Sequence, residues 1–206
     1  MIAVGGYDNS TMGEDMELVV RLHEFSRMNR KPYKIHFAQD AICWSQTPEK
    51  LSELGKQRKR WQRGLFQCMW GHRKMLANPR YGAVGLLSYL YFLLYELLSP
   101  FIELLGVLTM VLSVVMDMLN VKFMLVFLAC YALYGILLTL TAYFSRIYTI
   151  DQRVSFRELI LAITACFFET TFLRFYLEFV RVTAFVGYKK NKLNWGKLER
   201  KKMNRI

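Results

Sequence analysis

A helix-period stripe, a basic amphipathic segment and three long apolar stretches follow one another along this chain. Leu18, Leu22 and Phe25 recur four and three apart with Val19 beside them, which predicts a helix from Glu14 to Met28 that Asn29–Pro32 breaks. Tyr33-Lys34-Ile35-His36-Phe37 alternates as a strand does, and Ala41-Ile42-Cys43-Trp44 predicts a second short one. Pro48 opens a long helix reaching Asn78-Pro79, with Glu49 and Glu53 near the positive end of its dipole. Leu51, Leu54, Trp61, Leu65, Cys68, Met69, His72 and Leu76 fall near one face of it, and most Lys and Arg fall elsewhere. A basic amphipathic helix of this kind lies in a membrane interface.

Between Gly82 and Asn120 the ionisable side chains apart from tyrosines are Glu96, Glu103 and Asp117, and residues 123–145 contain no Asp, Glu, Lys, Arg or His. Such runs exceed the roughly 20 apolar residues that cross a bilayer core of about 30 Å. Segment 84–116 would be about 50 Å long if continuously helical, which predicts tilt, a kink near Pro100 or extension into the headgroups. Segment 123–145 is the cleanest span, whereas 156–187 is interrupted by Glu169, Arg174, Glu178 and Arg181. Residues 1–47, with one helix and two short strands, cannot bury a proper core alone and read as the end of a larger α/β domain. The expected class is therefore a mostly α membrane protein. It comprises a small α/β remnant (1–47), an amphipathic interface helix (48–80), two to three membrane helices (84–187) and a basic tail (188–206).

Composition agrees, with 54% apolar and 21% charged residues, and the formal charge of +12 has two locations. Basic residues concentrate from Lys56 to Arg80 and from Lys189 to Arg205, each beside an apolar run. That placement points to anionic lipid headgroups; no nucleic-acid-binding motif accompanies it. If the N-terminal part is cytosolic, the first span exits and the second returns, which puts Arg146, Arg153 and Arg157 inside. A third crossing would carry the basic tail outside, so charge bias favours a re-entrant or interfacial third segment and a cytosolic tail. Cys43, Cys68, Cys130 and Cys166 are widely spaced, and His23, His36 and His72 show no metal-ligand spacing, so they read as packing residues in a reducing compartment. Residues 1–6 have neither the basic start nor the apolar core of a secretory signal.

Some polar residues are candidates for chemistry. Glu14 and Asp15 lie in the first turn of a helix, where the dipole favours an ionised carboxylate able to accept a proton; with Glu17 they can equally be dipole complements. Gln57, Arg60 and Trp61 lie three and four apart, so one helix face presents all three. A guanidinium binds phosphate oxygens in pairs, an indole offers a flat face to a sugar ring, and Gln can bond hydroxyls. The alternative for this trio is an interfacial Trp anchor with arginines on lipid phosphates. Glu96 and Glu103, seven apart, can line a path through the membrane or pair with Arg174 and Arg181.

Gly5-Gly6-Tyr7, Glu14-Asp15, Arg21-Leu22-His23 and Gln57-Arg58-Lys59-Arg60-Trp61 stand in the order Gly-Gly-aromatic, Glu-Asp, Arg-Leu, Gln-x-x-Arg-Trp. In this the chain resembles the C-terminal part of membrane-integrated family-2 glycosyltransferases, the cellulose, chitin, hyaluronan and poly-N-acetylglucosamine synthases. Trp195-Gly196-x-x-Glu199-Arg200 resembles an element near the end of several bacterial members. The resemblance implies that residues 1–47 are the remnant of a GT-A-type catalytic domain. Asp15 would be the catalytic base, Glu14 would join the substrate site, Gln57 and Arg60 would contact the diphosphate and sugar, and Trp61 would floor the terminal acceptor sugar. It further implies an inverting transfer of a hexose or N-acetylhexosamine, UDP-linked, to a growing glycan at a bacterial cell membrane, by a multi-pass protein whose catalytic part and tail are cytosolic. A divalent metal, Mg or Mn, is expected for the full enzyme, but its Asp-x-Asp ligand pair does not occur before Asp15. The expectation is thus a fragment or split gene product, inactive without a donor-binding half in the same or another chain. The competing expectation is a non-catalytic membrane scaffold or assembly subunit.

Overall fold

The structure, a computed structural model, describes residues 2–31, 33–36, 38, 41, 43, 45–150 and 155–188. It is mostly helical, and no strand occurs among the described residues. Among the described residues six helices carry the fold: α1 (Glu14–Met28), α2 (Leu51–Gly71), α3 (Val84–Leu97), α4 (Ser99–Val115), α5 (Val121–Ile150) and α6 (Phe156–Phe185).

Local signals set the ends of α1. Glu14, Asp15 and Glu17 complement its positive end. At the other end Arg30 N–H bonds Arg27 O at 3.2 Å and Lys31 N–H bonds Ser26 O at 2.9 Å, so the last carbonyls are satisfied by a left-handed reversal. That reversal holds Arg30 at φ +51°, a conformation usually left to glycine. The strand expected at 33–37 is not formed over residues 33–36, and Ile35 is half exposed there. Ala41 and Cys43 also lack regular structure, while Phe37, Ile42 and Trp44 fall outside the described residues. Extended backbone becomes a strand only when a neighbour takes its N–H and C=O groups, and no described segment does so.

The long helix expected from Pro48 to Asn78 begins at Leu51 and stops at Gly71. Two tight turns follow, Arg73–Met75 and Pro79–Tyr81, the second capped by Asn78, whose Oδ1 accepts from Arg80 N–H at 3.1 Å. The buried face of α2 also differs from the apolar stripe. Gly55, Gln62, Gly64, Cys68 and Met69 are buried, whereas Leu51, Trp61 and Leu76 are well exposed. Close backbone contact at a glycine and a polar bond at Gln62, rather than hydrophobicity, choose which side faces inward.

The chain forms two compact units, Met1–Phe101 with Val180–Ile206, and Ile102–Phe179. The first has a core of Met69, Met75, Tyr81, Tyr89 and Leu97, with Met16, Val20, Leu65 and Phe185 packed against it. Tyr89, buried there, donates its hydroxyl proton to Met69 O at 2.5 Å, which satisfies the polar handle of an otherwise apolar side chain. In the second unit α5 approaches α6 at Gly135, where an added Cβ would stand 2.7 Å from Thr170 Cγ2. Arg174 Nε donates to Glu103 Oε2 at 3.0 Å and the guanidinium lies 5.4 Å from the Tyr131 ring. Glu103 is thus ion-paired, one of the two roles expected for it.

Val121–Ser145 and Phe156–Phe185 are long and apolar enough to cross a membrane, and α3 with α4, bent by 46°, passes the same test as one broken span. The kink lies next to Pro100, where the missing N–H and the ring both disfavour a continuous helix. α6 continues through a wide turn at Glu169–Leu173 as one helix of 30 residues. Large side chains such as Phe123, Val126 and Leu161 are more than 60% exposed, an apolar surface suited to lipid rather than water. The basic tail lies outside the described residues.

Candidate functional site

The first unit places α1 across α2 at a backbone contact that only glycine permits. A Cβ on Gly64 would stand 2.8 Å from Gly13 N and 3.0 Å from Gly13 Cα. Gln67, one turn further along α2, holds the same segment: its Oε1 accepts from Met12 N–H at 2.8 Å and from the Thr11 hydroxyl at 3.2 Å. The start of α1 is therefore fixed on α2 by one close approach and two hydrogen bonds.

Periodicity shows what this crossing brings together. At 3.6 residues per turn, positions 57, 60, 61, 64 and 68 fall on one stripe of α2. Gln57, Arg60 and Trp61 thus lie on the side that meets Gly13, with Glu14 and Asp15 following immediately in the first turn of α1. Gln57 and Arg60 are half-buried and Trp61 is 49% exposed. Asp15 is exposed; its Oδ1 accepts from Met16 N–H at 2.8 Å, and it lies on the opposite side of α1 from Glu17, Arg21 and Glu24.

Those three residues, spaced four and three apart, form a polar network not singled out from the sequence. Arg21 donates to Val4 O and Gly6 O, both at 2.6 Å, and to Glu17 Oε2 at 2.9 Å, which straps the Gly5-Gly6 loop onto α1. Both glycines have positive φ, +84° and +73°, so the strap needs their left-handed freedom. His72, just past α2, places Nε2 3.2 Å from Glu17 Oε1 and Nδ1 against Glu24 Oε2. The i, i+4, i+7 spacing of Glu17, Arg21 and Glu24 was the available signal; His72 as their partner was not predictable from spacing. Nearby, burial and then Arg27 push the His23 imidazole below its ordinary value, and its Nδ1 lies 2.6 Å from the Tyr33 hydroxyl.

Arg58 was also missed. Its guanidinium lies over the Trp61 ring at 4.7 Å, within cation–π range, and its Nε is buried without a hydrogen-bond partner among the described residues. Among the described residues no group of three His, Cys, Asp or Glu is placed to hold a metal ion. The donor set does not fit one, because Glu17 and Glu24 are both committed to His72.

Cys68 ends the stripe and is 1% exposed. Burial first, then the charges of Glu17 and Asp15, push its thiol up from near 9 to about 12. The thiolate is the reactive form, so iodoacetamide at pH 8 is expected to label exposed Cys43 and leave Cys68 unmodified in peptide maps of the folded protein. Because the folded value lies above the unfolded one, this thiol's stabilisation is complete below about pH 9 and is lost as pH rises towards 12.

The model of "Glycosyl transferase family group 2" matches residues 2–186. The "Probable glycosyltransferase YdaM" of Bacillus subtilis is 38% identical over 61 residues, which is 30% of this chain and 13% of that protein. The poly-beta-1,6-N-acetyl-D-glucosamine synthase of Staphylococcus epidermidis is 33% identical over 75 residues, 36% of this chain and 15% of that protein. The matched stretches thus span well under a quarter of either relative. No solved structure matches significantly.

Proposed function

We propose that this chain, which belongs to glycosyl transferase family group 2, supplies the acceptor side of an inverting, membrane-bound transferase that builds a glycan. The observation that carries the reading is the backbone contact of Gly13, at the start of α1, with Gly64 of the helix that bears Gln57, Arg60 and Trp61. A carboxylate, a guanidinium and an indole on adjoining surfaces match the needs of transfer to a sugar hydroxyl.

In this mechanism the acceptor sugar rests on the exposed indole of Trp61 with Gln57 and Glu14 bonding its hydroxyls. Asp15 takes the proton of the attacking hydroxyl. The hydroxyl oxygen forms its bond to the anomeric carbon from the face opposite the nucleoside diphosphate. The bond from that carbon to the diphosphate breaks and the electron pair leaves with the diphosphate, whose charge Arg60 offsets. The configuration at the anomeric carbon is inverted. The donor is a nucleotide sugar, UDP-linked, carrying a hexose or N-acetylhexosamine. A donor-binding half, in the same or another chain, holds that nucleotide and any Mg or Mn ligands; the length of the relatives beyond the matched stretch supports this. The helices able to cross a membrane support a membrane protein; in this reading it is a multi-pass protein of the bacterial cell membrane with this site on the cytosolic side.

Trp61→Ala in the membrane-reconstituted transferase, with its donor-binding half present, tests the reading. Transfer is expected to fall at least about 30-fold, as loss of an aromatic anchor in a binding site costs about 2 kcal/mol or more, with membrane insertion unchanged. Unchanged turnover would remove the indole from the site and leave the scaffold role.

A further inference from the structure

Pro100 leaves two main-chain carbonyls without their helical partners. It has no N–H to give Glu96 O, the acceptor four residues before it. Phe101 N–H turns to Leu98 O at 3.0 Å instead of Leu97 O, so Leu97 O is freed as well. Both orphans are taken by side chains from elsewhere in the first unit. Arg181, near the end of α6, donates Nη2–H to Glu96 O, and Gln62 of α2 donates Nε2–H to Leu97 O at 3.0 Å. The two side chains also bond each other, Arg181 Nε donating to Gln62 Oε1 at 2.9 Å. Gln62 is 2% exposed, so these bonds are made away from water, where an unmade bond costs most. Beside it, Arg63 Nε donates to Ala184 O at 2.7 Å and Phe66 meets the Phe185 ring edge-on at 5.4 Å.

Gln62, Arg63 and Phe66 lie roughly half a turn around α2 from the stripe of Gln57, Trp61 and Gly64. One side of α2 therefore carries the sugar-binding residues, and the other is locked to a broken helix and to the end of α6. Gln62 adjoins Trp61 in sequence, so a helix that turns or slides at Gln62 moves the indole with it.

We infer that Gln62 and Arg181 form a latch that positions Trp61, holding the acceptor-binding face of α2 in register with the Pro100 break. Neither residue touches substrate; both act through the placement of α2. The inference rests on the transferase reading and adds to it a coupling between acceptor binding and the broken helix.

The test compares acceptor and donor kinetics of Gln62→Leu, Arg181→Ala and the double variant in the reconstituted transferase with its donor-binding half. Each single variant is expected to raise the acceptor KM about tenfold, with the donor KM within about twofold of the parent. The double variant is expected to be no worse than the weaker single, because one latch is broken either way. Arg181→Lys, which keeps a donor, is expected to restore part of the acceptor KM; with Gln62→Glu, which keeps the acceptor for Arg181, it serves if the larger changes do not accumulate in the membrane. An unchanged acceptor KM in inserted protein, or equal changes in both KM values, overturns the latch. If Trp61→Ala abolishes transfer while the latch variants leave the acceptor KM alone, the latch falls by itself. If Trp61→Ala has no effect, the inference falls together with the reading beneath it.

Discussion

Asp15→Asn is expected to lower glycosyl transfer by roughly 10³-fold at neutral pH, the scale at which a positioned general base contributes. Asparagine has nearly the volume of aspartate, and its side-chain oxygen can still accept from Met16 N–H as Asp15 does at 2.8 Å. Asp15 is exposed, so the exchange leaves no buried group unsatisfied and α1 should form as before. What is lost is the capacity to take the acceptor proton in the mechanism proposed above. Donor affinity should therefore stay within a few-fold of the parent while kcat falls. A variant transferring within threefold of the parent would show that another group accepts the proton.

Gly64→Leu is expected to break the crossing of α1 and α2. Its Cβ would stand 2.8 Å from Gly13 N, 3.0 Å from Gly13 Cα and 3.1 Å from Met12 C, all main-chain atoms that cannot rotate aside. The start of α1 must then lift from α2, which also pulls Met12 N–H and the Thr11 hydroxyl from Gln67. Overpacking of this sort costs about 1–3 kcal/mol, and each lost hydrogen bond adds about 1 kcal/mol. For a chain of this size that lowers Tm by several degrees, and transfer should fall with it because the first turn of α1 no longer meets the stripe. Gly71→Ala is the matched control: an added Cβ there meets nothing within 4 Å, so the same helix should be unharmed or slightly stabilised. Equal effects at 64 and 71 in thermal melts would refute the close approach as the cause.

Several features were legible in the residues themselves. The bounds of α1 follow from an acidic first turn, a helical stripe of Leu18, Leu22 and Phe25 and a break after Met28, all short-range causes. The apolar segments were legible for the same reason, since a run free of charge carries its preference for lipid wherever it lies. The spacing of Gln57, Arg60 and Trp61 determined that they share a face of α2. Helix geometry needs no partner to establish that.

Tertiary structure decided what depended on a partner distant in the chain. The alternation of residues 33–37 favours a strand, yet no segment among the described residues pairs with residues 33–36. The apolar stripe predicted an amphipathic helix, but which residues of α2 face the protein was decided by the backbone contact of Gly64 with Gly13 and the bonds of Gln62 to Leu97 O and Arg181, while Leu51 and Trp61 stay exposed. Asp15 and Trp61 are joined in sequence only by their order along the chain. What the structure adds is that two glycines some fifty positions apart let the start of α1 touch α2, and a contact defined by the absence of side chains leaves almost no trace in a pattern of residue types.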